Sequence, residues 1–237
     1  MAEDVQSLIR SCSTCQRRKT HSAQTKSEPL GRTPTPNAPF EHVHMDILGP
    51  FPRTAAGNVY ILMIVDAFTK FLTTCPLQDQ TAVSVAYAFV NDFVARHGVP
   101  LSITTDQGRN FVSALFAECT SLLGTKHITT TAYHPQANGQ VERFNRPVCD
   151  MLASFTDTDG KNWDRFLTLT TFAYNNSVHA TTHEIPFYLV HGRHARLPID
   201  DALCVPGKEE VSMSQFKRDL SAQLTTAWDR AEQQINK

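Results

Sequence analysis

The sequence predicts an α/β domain: a five-stranded mixed sheet with helices on both faces. Three observations predict it. Three β-prone runs follow one another between 43 and 77, joined by short turns, as in an antiparallel meander. Amphipathic helical patterns then alternate with short strands from 81 to 131. Two further helical stretches close the series, giving the order β-β-β-α-β-α-β-α-α.

Each element has a local reason. Residues 43–51 read as a strand, and Gly57-Asn58 marks the turn into the β-prone run 59–68, which opens with the longest apolar stretch, 59–65, with 71–77 following as a third strand. Thr81 caps a helix whose Val83, Ala86, Phe89, Val90, Phe93 and Val94 recur at helical spacing, and Gly98 and Pro100 stop it. Residues 101–105 form a short strand ending at Asp106. Residues 111–123 form a second amphipathic helix, with Asn110 as its N-cap and Gly124 as its stop. A β-branched strand spans 126–131. A loop from Tyr133 to Asn138 leads into a helix over 139–155, and another helix covers 162–178. Past Pro198 the pattern loosens. Residues 211–236 form a polar helix with Leu220, Leu224 and Trp228 four apart and no partner in the chain.

Four segments follow: 1–19, a linker over 20–38 rich in Ser, Thr, Pro and Lys, a compact domain over 39–200, and a helical tail over 201–237. The net charge of −1 means that any affinity for nucleic acid must rest on local basic patches. No apolar run approaches the ~20 residues that span a bilayer. The first ten residues lack the apolar core of a secretory signal, so the six cysteines read as reduced thiols inside the cell.

Three carboxylates stand out from the background. Asp46 lies within the first strand between Met45 and Ile47, which the alternation assigns to the opposite, buried face. A carboxylate placed there is costly without a cation or hydrogen-bond donors. Asp106 ends the fourth strand, and Glu142 lies one turn into a helix, with 35 residues between the two. Carboxylate oxygens are hard ligands suited to Mg²⁺ or Mn²⁺, and three can hold two ions ~3.5–4 Å apart for in-line phosphoryl transfer. Asp66 also ends an apolar strand and reads as a structural turn residue. Asp92 reads as a solvated helix charge. His44 shares a strand face with Asp46, but two-metal transfer needs no histidine base.

The stretches His44-Met-Asp46-Ile-Leu-Gly-Pro, Thr105-Asp106-Gln-Gly-Arg-Asn-Phe and His134-Pro-Gln-Ala-Asn-Gly-Gln-Val-Glu142-Arg-Phe-Asn resemble the integrase of gypsy-type LTR retrotransposons. The 35-residue gap is similar to the Asp-Asp-Glu signature of retroviral integrases. Ala173-Tyr-Asn-Asn-Ser-Val-His179, Pro186-Phe-Tyr-Leu-Val-His-Gly192-Arg and Leu197-Pro-Ile-Asp200 extend the likeness. The resemblance implies a ribonuclease-H-like fold with Asp46, Asp106 and Glu142 as catalytic ligands of Mg²⁺ or Mn²⁺. It also implies 3′-end processing and strand transfer of retroelement terminal DNA into target DNA, by a dimer or larger oligomer. A chromosomal substrate puts that work in the nucleus, although Arg17-Arg18-Lys19 is too short for a localisation signal. Along the third helix, Asn138, Glu142, Arg146 and Cys149 share a stripe. Asn138 and Arg146 are therefore the nearer DNA contacts, with Gln140 and Arg143 pointing elsewhere.

Three departures qualify the resemblance. Cys12 and Cys15 match only half of a His-His-Cys-Cys zinc module, so no structural zinc is expected. Pro147 sits five residues after Glu142 and predicts a kink or an early helix end, at ~3 kcal/mol or more. Nothing past 200 reads as the small C-terminal module of the family. Two other readings follow: an inactive remnant that binds nucleic acid or dimerises, and a nuclease of the same fold.

Overall fold

The computed structural model describes residues 36–130, 135–157, 159–197 and 212–236, with the side chains of 135–144 and of Ser214 outside that set. Cys12 and Cys15 lie outside the described residues, as do 198–211, and with them the segment and linker boundaries expected before 36. No described helix is long and apolar enough to cross a membrane.

Strands β1 (His42–Leu48), β2 (Tyr60–Asp66), β3 (Leu72–Leu77), β4 (Ser102–Thr105) and β5 (Lys126–Thr129) form one sheet in the order β3-β2-β1-β4-β5. The β3-β2-β1 half is antiparallel and the β1-β4-β5 half parallel. The expected five-stranded mixed sheet is thus present. β2 is buried along nearly its whole length because both of its faces are covered, which explains its unbroken apolar sequence.

Helix α1 (Ala82–Ala88) starts at Thr81, whose hydroxyl accepts from Ser84 N at 3.3 Å. It continues through a π-helical stretch, Phe89–Val94, and a last turn, Ala95–His97, and ends at Gly98 with φ +90°. The widened turn leaves both Phe89 and Phe93 in the core, their rings stacked 5.8 Å apart. With α2 (Ala114–Leu122), α1 covers one sheet face over Val43, Met45, Leu62, Ile64 and Ile103. Helices α3 (Pro135–Phe155) and α4 (Trp163–Asn175) cover the other face, where Val148, Leu152, Trp163 and Leu167 pack on Ile61, Met63, Val65 and Leu72.

Several expectations need correction. Asn110 does not cap α2. It belongs to a preceding turn, and Ser113 caps the helix by accepting from Phe116 N at 3.2 Å. The 133–138 segment is not all loop, because α3 begins at Pro135; proline at a first helical turn gives up only a donor that has no intrahelical partner there. Nor does Pro147 end α3, which runs on to Phe155. Val148, wholly buried, and Leu152 anchor the turns that follow, and their burial offsets the ~3 kcal/mol proline penalty. The helix expected over 162–178 closes at Asn175, and a six-residue helix, α5 (Pro186–His191), was not foreseen.

The C-terminal helix, α6 (Met213–Ile235), has a partner after all. Its Ala227 and Ala231 bury against Leu189 of α5, and Trp228 Nε1 donates to the Leu189 carbonyl at 2.8 Å. Gly192 ends α5 with φ +66°, and a Cβ there would stand 2.2 Å from Leu220 of α6. The spaced Leu220, Leu224 and Trp228 therefore face a surface made by a helix too short to be recognised in the sequence.

Candidate active site

Asp46 stands near the C-terminal end of central β1, and Asp106 immediately follows β4. The parallel register pairs His44 with Thr104 and Met45 with Thr105, so one further step sets Asp46 beside Asp106. His42, His44 and Asp46 alternate onto the face covered by α3 and α4, while Val43 and Met45 enter the opposite core. The two aspartates feel each other's charge. Burial raises the Asp46 carboxyl above its ordinary range and the negative charge of Asp106 adds to the shift, while the Asn145 hydrogen bond opposes it.

The turn after Asp106 is tied back to it, as Gly108 N donates to Asp106 Oδ1 at 2.9 Å. A Cβ on Gly108 would come within 2.6 Å of Asn110 Oδ1 and 3.0 Å of Asp106 Oδ1, so only glycine lets this turn close so tightly. Asp106 itself is exposed.

Helix α3 reaches the pair through Asn145, whose Nδ2 donates to Asp46 Oδ2 at 2.7 Å. Asn145 lies three residues, close to one turn, after Glu142. Glu142, Asn138, Gln140 and Arg143 all lie within α3, with side chains outside the described set. Arg146 is exposed and faces Asp150 at 3.9 Å, a pair too solvated to fix its position. Asn145 was not among the expected site residues. Its one sequence signal is its place a turn beyond Glu142.

The other candidates fall elsewhere. The Asp66 carboxylate is buried and accepts from Thr69 N, Thr69 Oγ1 and Phe40 N at 2.8, 2.6 and 2.9 Å, so it fastens the β2–β3 turn to the segment before β1. Asp92 pairs with Arg96 at 2.8 Å. His44 is held near pKa 3, first by burial and then by His42 and Lys70, and stays neutral through the ordinary pH range.

Among the described residues no three His, Cys, Asp or Glu side chains converge on a metal position, and neither aspartate is in an ion pair. The donor chemistry nevertheless fits a divalent cation. Two hard oxygen ligands stand side by side, and one of them is partly withdrawn from water.

Comparison with known proteins agrees with this geometry. Residues 36–135 match the integrase core domain family. The chain is 31% identical over 170 residues to the retrovirus-related Pol polyprotein from transposon 412 of Drosophila melanogaster, covering 72% of this chain and 14% of that protein. It spans 14–18% of the length of the first curated relatives it matches. Among solved structures, a chain of the simian T-cell lymphotropic virus intasome in complex with PP2A regulatory subunit B56 gamma superposes with a TM-score of 0.62 at 21% identity, covering 90% of this chain and 72% of that one. The HTLV-2 integrase catalytic core domain in complex with magnesium gives 0.53 at 21% identity, over 65% of this chain and 98% of that one. Both share its ribonuclease-H-like fold. With the fold, the paired aspartates and these relatives in agreement, the chain belongs to the retroviral-type integrase catalytic cores of LTR retroelements.

Proposed function

We propose that this chain catalyses DNA integration, processing the 3′ ends of retroelement DNA and joining them to target DNA. One observation carries the reading: Asp46 and Asp106 adjoin at the ends of two parallel strands, and Asn145 fastens to Asp46 the helix that bears Glu142. Asp46, Asp106 and Glu142 would hold Mg²⁺ or Mn²⁺, and the HTLV-2 core with magnesium supports that assignment. When bound, the metal supplies Lewis-acid stabilisation to the attacking and leaving oxygens of an in-line phosphoryl transfer. Asn145 holds Asp46 Oδ2 and so orients the carboxylate toward the proposed ion. The Gly108 turn lets backbone approach the same place.

Intasome, dimeric and trimeric forms among the structural neighbours support action on DNA as an oligomer. A chromosomal target implies a nuclear site of action. Asn138 and Arg146, with Gln140 and Arg143 beside them, are the proposed DNA contacts along α3.

Incubation with a branched DNA substrate and Mn²⁺, beside Glu142→Gln, tests the reading. Strand rejoining by the wild type and its loss in the variant are expected. Equal silence from both proteins would instead support the binding remnant, and cleavage of an RNA–DNA hybrid alone would support a nuclease.

A further inference from the structure

Among the described residues, apolar packing on the sheet face that carries Asp46 and Asp106 covers only its β1-β2-β3 half. On it, the apolar core under α3 and α4 draws from β1, β2 and β3 and takes no residue from β4 or β5. On that half, the register sets His42 beside Ser102 and His44 beside Thr104, and Ser102 beside Lys126 and Thr104 beside Ile128. These residues alternate with Ile103 and His127, which belong to the opposite face, where Ile103 is in the core and His127 packs on Phe116. A strip of polar side chains thus runs from the two aspartates toward the start of β4 and β5.

The strip is built rather than incidental. His42 is buried, and its ring bridges two hydroxyls, with Nδ1 meeting Ser102 Oγ and Nε2 meeting Thr104 Oγ1 at 3.0 Å. Ser102, Thr104, Ile128 and Thr130 are half-exposed, and Lys126 is exposed. Beyond Asp46 and Asp106, none of the described residues of the strip is acidic. Hydroxyls, a lysine and one apolar patch suit a phosphodiester backbone with its sugar.

We infer that this strip is a track for the DNA strand next to the reacting bond, with Lys126 on a backbone phosphate and the Ser102 and Thr104 hydroxyls beside it. The inference rests on the integration reading above. Ser102 lies four positions before Asp106, about 13 Å of strand. Successive phosphates of a duplex strand rise ~3.4 Å along its axis and also turn about it, so Lys126 meets a phosphate roughly two nucleotides from the bond that reacts.

Anisotropy of a labelled terminal DNA duplex, titrated at several salt concentrations, tests it. Loss of one phosphate contact lowers the slope of log affinity against log salt by about one, and affinity at 50 mM salt by roughly tenfold. Lys126→Gln is expected to do both, while Lys217→Gln, exposed on α6, does neither. Methylphosphonate substitution, one phosphate at a time, locates the contact. Wild type has a sensitive phosphate roughly one to three nucleotides from the reacting bond, and Lys126→Gln no longer responds to it. Thr104→Val weakens the response to the same substitution. Wild-type slope and phosphate sensitivity in Lys126→Gln overturn the track alone. A wild-type protein without salt-dependent DNA binding overturns the integration reading with it.

Discussion

At the scale of single residues, the site turns on a hydrogen bond. Asn145 Nδ2 fixes the rotamer of Asp46 from a helix that the strand must await in the fold. Groups that orient a ligating carboxylate typically matter 10- to 100-fold. Asn145→Ala is accordingly expected to raise the Mn²⁺ concentration for half-maximal strand rejoining by about that factor and to leave thermal stability nearly unchanged. An equal loss at saturating Mn²⁺ would show that Asn145 acts elsewhere than on metal binding. The sequence made Asp46 and Asp106 conspicuous because a polar residue interrupts apolar alternation or follows it directly. Asn145 carried no such mark. An asparagine on a helix face looks solvated until a strand from 99 residues earlier is brought beneath it.

Two half-buried imidazoles set a pH dependence. His44 is held near 3 and His179 near 4, burial being the larger cause in each and Lys70 a contributor. Unfolded histidines take up protons near 6.5, so their stabilising neutral state is complete above that pH and is lost progressively as pH falls toward 4. The thermal midpoint is expected to drop between pH 7 and pH 5, with about 1 kcal/mol from each ring once partial solvent access is allowed for. His179→Gln should flatten that drop, and an unchanged profile in this variant would remove His179 from the account.

At the scale of elements, helices carry the contrasts between sequence and structure. The strands were legible because β-branched runs and short turns specify them locally, and their ends shifted by only a few residues. Helix α3 was harder, because Pro147 argues locally for a break while Val148 and Leu152 argue, through contacts formed only in the folded chain, for continuation. Pro147→Ala should therefore stabilise the protein by up to about 3 kcal/mol, seen as a thermal midpoint ~2–4 °C higher per kcal/mol. A lower midpoint would mean that α3 has adapted to the proline and needs it. Helix α5 escaped notice because six residues hold fewer than two turns of pattern. Its absence from the reading left α6 seemingly alone.

At the scale of the whole molecule, the docking of α6 makes the C-terminal residues part of the domain. The contact depends on Gly192, whose left-handed φ and missing Cβ admit Leu220 and Leu224. Gly192→Ala adds ~1–2 kcal/mol of backbone strain before any clash is counted. Release of α6 is the expected result, read as a red shift and quenching of Trp228 fluorescence and as new protease cleavage within 212–236. Unaltered emission would show that the helix pair has room to shift.

The mixed sheet also dictates an order of assembly. β1, β2 and β3 are hairpin neighbours and can pair as soon as they are made. β4 must return from 60 residues away to lie parallel to β1, and contacts across such a span close slowly because the intervening chain must first be confined. The two aspartates belong to opposite sides of that late seam. A chain still emerging from the ribosome, or one stalled with only its meander formed, holds Asp46 without Asp106 and has no paired site with which to cut a phosphodiester bond.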